Sequence, residues 1–140
     1  GLSKIGEKAG LMSLFAKVLR PFTRLLFPRL KSDSPAMGAI VMNIVANLLG
    51  MGNAATPFGI KAVKELDKLS KSKGIATNEM CMFVVLNTAS IQLIPTTLIS
   101  MRELWGSANS GEIIVPVWIV SILALICGIY TTKILEKRKI

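Results

Sequence analysis

"NLLGMGNAATPFG", residues 47–59, decides how this chain is read. It lies inside a run without a single charge from Ser34 to Ile60, long enough to cross a bilayer, yet its thirteen residues hold three Gly, one Pro, two Asn and one Thr. A simple membrane-spanning helix does not carry that many helix breakers, and a soluble loop does not sit in so apolar a run. Backbone that leaves the helix at membrane depth has to be buried in protein or line a watery cavity, because lipid satisfies no hydrogen bond.

Working outward, "KSDSPAMG" starts the element that leads into this stretch. Ser34 is placed to cap a helix with Pro35 at its first position. That helix is expected to run over Ala36–Leu49 and to break at "GMGN". Thr56-Pro57 reads as a second cap-and-proline start, opening the helix "PFGIKAVKELDKL". A second uncharged run follows at residues 80–101, "MCMFVVLNTASIQLIPTTLISM", 22 residues with a polar middle. Its length suffices for one span. The polar loop "RELWGSANSGE" leads to "IIVPVWIVSILALICGIYTT", residues 113–132, a plain transmembrane helix. Upstream, Leu2, Ile5, Ala9, Met12, Phe15, Leu19, Phe22 and Leu26 recur at helical spacing, with Lys4, Lys8, Lys17, Arg20 and Arg24 mostly on the other side. This is a basic amphipathic helix, expected to lie in the membrane interface and to be bent or ended by Pro21 and Pro28.

Charge supports the membrane reading. The net charge is +9 in 140 residues, with 51% apolar residues and a mean hydropathy of +0.56. It falls in blocks of +5 over residues 1–33, +3 over 61–73, −2 over 74–132 and +3 over 133–140. Basic blocks bracketing apolar runs read as membrane flanks, whereas a nucleic-acid binder places its Lys and Arg along one soluble face. Placing the basic blocks inside makes the C-terminus cytoplasmic, residues 102–112 external, and residues 61–73 internal. Residues 34–60 then begin and end on one side, which requires a re-entrant hairpin. The expected fold is an all-α integral membrane protein: an amphipathic interfacial helix over 1–32, then a membrane domain over 33–140. That domain comprises a re-entrant helical hairpin at about 34–70, a broken transmembrane helix at about 79–102 and a plain transmembrane helix at 113–132.

Two breaks in adjacent membrane segments point to a transporter-like site. The expected solute or ion pathway is Asn47, Asn53, Thr56, Asn87, Thr88, Ser90, Gln92 and Thr96, with Gly50, Gly52, Pro57 and Pro95 as the helix breaks. Free N–H groups at a half-helix start and the amides suit a polar neutral or anionic solute, and freed carbonyls suit a cation. The alternative is that Asn, Ser and Thr only join helices and that Ala46, Gly50, Ala55 and Gly59 permit close packing, including against a partner.

The chain contains no His, and its two Cys, Cys81 and Cys127, make no metal or redox spacing. Both are expected as small buried apolar residues. With no His, no serine elbow and no intramembrane carboxylate, no enzymatic constellation is present and no cofactor or metal is expected.

"PAMGAIVMNIVANLLGMGNAATPFGIKAVKEL" followed by "ATNEMCMFVVLNTASIQLIPTTLISMR" resembles the spore maturation protein A family. That family carries the nucleoside recognition, or Gate, domain shared with concentrative nucleoside carriers and the ferrous-iron transport protein B. The resemblance implies a multi-pass plasma-membrane protein of endospore-forming bacteria with a role in dehydrating the spore core. It also implies a sister partner, spore maturation protein B, with a homodimer as the alternative, and further hydrophobic segments ahead of Gly1. The expected function is a solute- or ion-translocating Gate-domain subunit in contact with membrane lipids and with no nucleic-acid partner; the alternative is a non-transporting assembly or scaffold subunit.

Overall fold

A computed structural model describes residues 2–70, 74–89 and 91–138, without the side chains of 2–13 and 138. Among them there are helices and no strand: α1 (Leu2–Leu26), α2 (Pro35–Leu48), α3 (Gly52–Leu69), α4 (Asn78–Thr88), α5 (Thr96–Leu104), a 3-10 turn (Ser110–Ile113) and α6 (Ile114–Arg138).

α2 starts as its sequence dictates. Ser34 is the N-cap, its hydroxyl accepts from the Met37 N–H at 3.2 Å, and Pro35 stands where the missing N–H costs nothing. The helix reverses within Leu49–Met51, where Gly50 adopts φ +68°, a left-handed conformation that a residue with a Cβ resists. α3 then begins at Gly52, so the expected start at Thr56-Pro57 is corrected: Thr56 and Pro57 lie inside the helix, and Gly52 opens it. So short a turn needs no further residues to reverse the chain, and it leaves Pro57 as the sixth residue of α3, past the first turn. Its absent N–H leaves the Asn53 carbonyl without the usual helical donor, while the Thr56 hydroxyl donates to the Gly52 carbonyl at 3.2 Å.

α2 and α3 form an antiparallel hairpin. Its seam holds Ala39, Ile40, Val45 and Ala46 of α2 with Ala55, Ala62 and Leu66 of α3, all buried. Ala46 and Ala55 therefore close α2 on α3 within the chain, while Gly59 is half-buried, with Asn43 of α2 next to the place a Cβ would take. Phe27, just past α1, and Met82 and Phe83 of α4 complete the core. α1 packs on α2: Leu19 and Phe22 come beside Ile44 and Leu48, around a small cavity of about 90 Å³. It continues through Pro21 and ends before Pro28.

Arg29, after α1, reaches Glu79 at the start of α4 (3.8 Å) and Glu136 near the end of α6 (3.7 Å). At the opposite level, the indole N–H of Trp118 in the first part of α6 donates to the Leu93 carbonyl at 3.0 Å. So α4 and α6 are antiparallel, and the end of α1 and the end of α6 share one end of the molecule. Residues Ser110–Lys137 form a helix long and apolar enough to cross a membrane, with none of its most apolar window buried. Cys127 on this helix and Cys81 on α4 are exposed, correcting their expected burial: both sit on outward apolar faces, where apolar character does not mean core.

Candidate functional site

The second expected break is present. α4 ends at Thr88, and α5 begins at Thr96 with Pro95 as its buried N-cap residue. Neither half is free-standing at the interruption. The Leu93 N–H donates to the Leu48 carbonyl at 2.8 Å, giving one orphan acceptor at the end of α2 a partner. A Cβ on Gly50 would stand 3.1 Å from the Ile94 carbonyl. The tip of the hairpin and the broken segment are thus one joint, held mainly by backbone.

Beside this joint runs a chain of amides. Asn43 Nδ2 donates to the Ala55 carbonyl at 2.8 Å, linking the two arms of the hairpin. Asn47 Nδ2 donates to Asn43 Oδ1 at 3.3 Å and to Asn87 Oδ1 at 2.9 Å. Asn87 Nδ2 donates in turn to the Phe83 carbonyl at 3.4 Å. Residues 40 positions apart in sequence are so joined side chain to side chain. Asn43 is 3% exposed and was not expected in the site. Its signal was the i,i+4 repeat in "NIVAN", which sets it directly above Asn47 on α2.

Between α3 and α4 lies an open groove of about 880 Å³ whose floor is these three asparagines. Of the expected pathway residues it gathers Asn47, Thr56, Asn87, Thr88 and Gln92. Its apolar walls come from Ile60 and Val63 on one side and Val84 on the other, and Lys64 stands at one end. Asn53 lies elsewhere, in a recess of about 480 Å³ with Gly50, Gly52 and Thr97. Thr96 is exposed at the start of α5 beside Gly50. Ser90 lies outside the described residues. The Thr88 hydroxyl is turned back onto its own helix, donating to Val84 O at 2.9 Å, as Thr56 does on α3. No cluster of His, Cys, Asp or Glu able to hold a metal ion occurs among the described residues.

The nucleoside recognition (Gate) family matches residues 1–105, three quarters of the chain. The chain belongs to this family. Every groove residue named above falls within the Gate match, as do both breaks, whereas α6 with Trp118 lies beyond it. A similar protein is spore maturation protein A of Bacillus subtilis (strain 168), 46% identical over 130 residues, covering 92% of this chain and 64% of the relative. The chain thus spans somewhat less than two thirds of that relative's length. No solved structure matches it.

Proposed function

We propose that this chain is a Gate-type membrane subunit of sporulation, through whose α3–α4 groove a polar solute or ion crosses during dehydration of the spore core. The observation that carries the reading is the Asn47–Asn87 hydrogen bond beside the sealed joint of two interrupted segments. Both segments lack charge, so their polar floor has no reason to exist in lipid unless protein or water completes it. The similarity to spore maturation protein A supplies the process.

The same geometry supports a membrane placement. α6 with its preceding turn is the plain span, and Trp118 lies eight residues in from Ser110, roughly 12 Å along the axis. The hairpin tip, level with Trp118 through Leu93, stops short of the outer end, which supports a re-entrant hairpin. Arg29, Glu79 and Glu136 mark the cytoplasmic end, and α5 completes the outward path of the broken helix in a multi-pass plasma-membrane chain. Lys17, Arg20 and Arg24 stay exposed along α1, and we place that basic face against anionic headgroups. The groove, open along one side, is closed by the sister protein or by a second copy. The reading is of a non-enzymatic protein.

One observation favours the second reading, a non-transporting assembly subunit: the three asparagines spend much of their capacity on each other and on backbone carbonyls. Reconstitution into vesicles with the sister protein separates the two. On the transport reading Asn47→Leu and Asn87→Leu lose solute flux while the assembly stays intact; loss of assembly in both variants, or unchanged flux, overturns it.

A further inference from the structure

The groove carries a charge pattern that narrows what it takes. Of its lining residues one is ionisable, Lys64, and none is a carboxylate. Lys64 makes no ion pair among the described residues, whereas Lys68 on the next turn is held by Glu65 at 2.7 Å. The side chain of Gln92, at the other end of the groove, has no hydrogen bond among the described residues either. From Thr56 to Lys64 along α3 is about 12 Å, so the groove presents a polar amide floor at one end and an uncompensated cation at the other. A cleft with low-dielectric walls and one sign of charge focuses its field and concentrates counter-ions.

We propose that the α3–α4 groove selects anions: solutes or headgroups with a single negative charge at Lys64 and a neutral hydrogen-bonding or aromatic body lying over Asn47, Asn87 and Gln92. The proposal rests on the groove being the solute site. It disfavours cations, which would meet the Lys64 charge and no carboxylate in the groove, and gives Lys64 the role of specificity determinant. The apolar walls at Ile60, Val63 and Val84 suit a flat or apolar body rather than a fully hydrated inorganic ion.

Three probes of similar size and different charge test it: benzenesulfonate, benzenesulfonamide and benzyltrimethylammonium. Binding is read as protection of the full chain against thermal unfolding in detergent, and flux separately in vesicles. Benzenesulfonate is expected to bind about tenfold more tightly than the other two, a difference of about 1.4 kcal/mol. Lys64→Gln removes the preference, Lys64→Glu turns it toward benzyltrimethylammonium, and Lys68→Gln, with the same loss of formal charge, leaves it in place. Equal binding of the three probes, or a preference that survives Lys64→Gln, overturns anion selection. Selective binding without flux of any probe supports the anion site and defeats the transport reading alone. Binding repeated in zwitterionic and in anionic lipid identifies the source: competition by anionic lipid assigns the site to a headgroup, and its absence assigns it to a soluble anion.

Discussion

Replacing Gly50 with Ala attacks the joint between the hairpin and the broken segment at one atom. Two costs add. Gly50 has φ +68°, and holding a Cβ in the left-handed region costs about 1–2 kcal/mol. The new Cβ would also stand 3.1 Å from the Ile94 carbonyl, so residues 93–95 must move outward. That movement stretches the Leu93 N–H to Leu48 carbonyl bond, at 2.8 Å, whose loss costs about 1 kcal/mol and more where water cannot replace it. The expected destabilisation is about 2–4 kcal/mol, read by denaturant titration of helicity in mixed micelles. Gly50→Asn divides the two costs, because Asn accepts the left-handed conformation but carries the same Cβ. If backbone strain dominates, Asn recovers most of the loss; if the Ile94 contact dominates, it recovers little. Gly38→Ala is the reference, since its Cβ meets nothing within 4 Å in a helix where Ala is preferred by up to about 1 kcal/mol. A Gly50→Ala protein as stable as Gly38→Ala would refute the reasoning.

Asn43→Leu, at a buried position holding Ala55 and Asn47 together, should cost about 1–3 kcal/mol and release Asn47, seen as altered amide chemical shifts for Asn47 and Asn87. Gly128→Leu should undock α6 from α4, because even a Cβ would come within 2.7 Å of Val85; Leu123→Ala, more than half exposed, should change stability little, and the two unfolding curves decide. In a background lacking Cys81 and Cys127, cysteines at Lys68 and Ser107 should label from opposite sides of sealed vesicles; equal access from one side removes the hairpin topology. A peptide of residues 1–30 should turn helical on anionic vesicles and bind with about 1 kcal/mol per basic residue near the surface; binding insensitive to salt would leave those charges without a role.

Much of the architecture was legible because local chemistry wrote it. Ser34-Pro35 supplies a capping hydroxyl and a preset φ at the start of an apolar helical run, where nothing upstream competes for the start, and Gly50 in "LLGMGN" marks a place where the backbone can turn. The second break was visible from Pro95 and the amides before it. What local reading missed has physical causes. Thr56-Pro57 looks like a helix start, but whether a helix begins four residues earlier depends on how tightly the chain has just reversed. Ala46 and Ala55 read as a contact surface without saying for which neighbour, and the neighbour is the other arm of the same hairpin. Cys81 and Cys127 sit among apolar residues that face outward, where hydrophobicity no longer separates inside from outside. Asn43 escaped because an asparagine in an apolar helix looks the same whether it joins two helices or meets a solute.

The bond between Leu93 and Leu48 is made by main-chain atoms and names no side chain. Six positions upstream of Leu93, Asn87 must still meet Asn47, the immediate neighbour of Leu48. Both links hold only if the path from Asn87 to Leu93 has the right number of residues. Many side chains could be exchanged along that path, but a single insertion or deletion would force the chain to keep the amide pair or the backbone bond and forfeit the other. The joint is thus specified by counting rather than by composition, and relatives that preserve it should tolerate altered letters there far better than altered length.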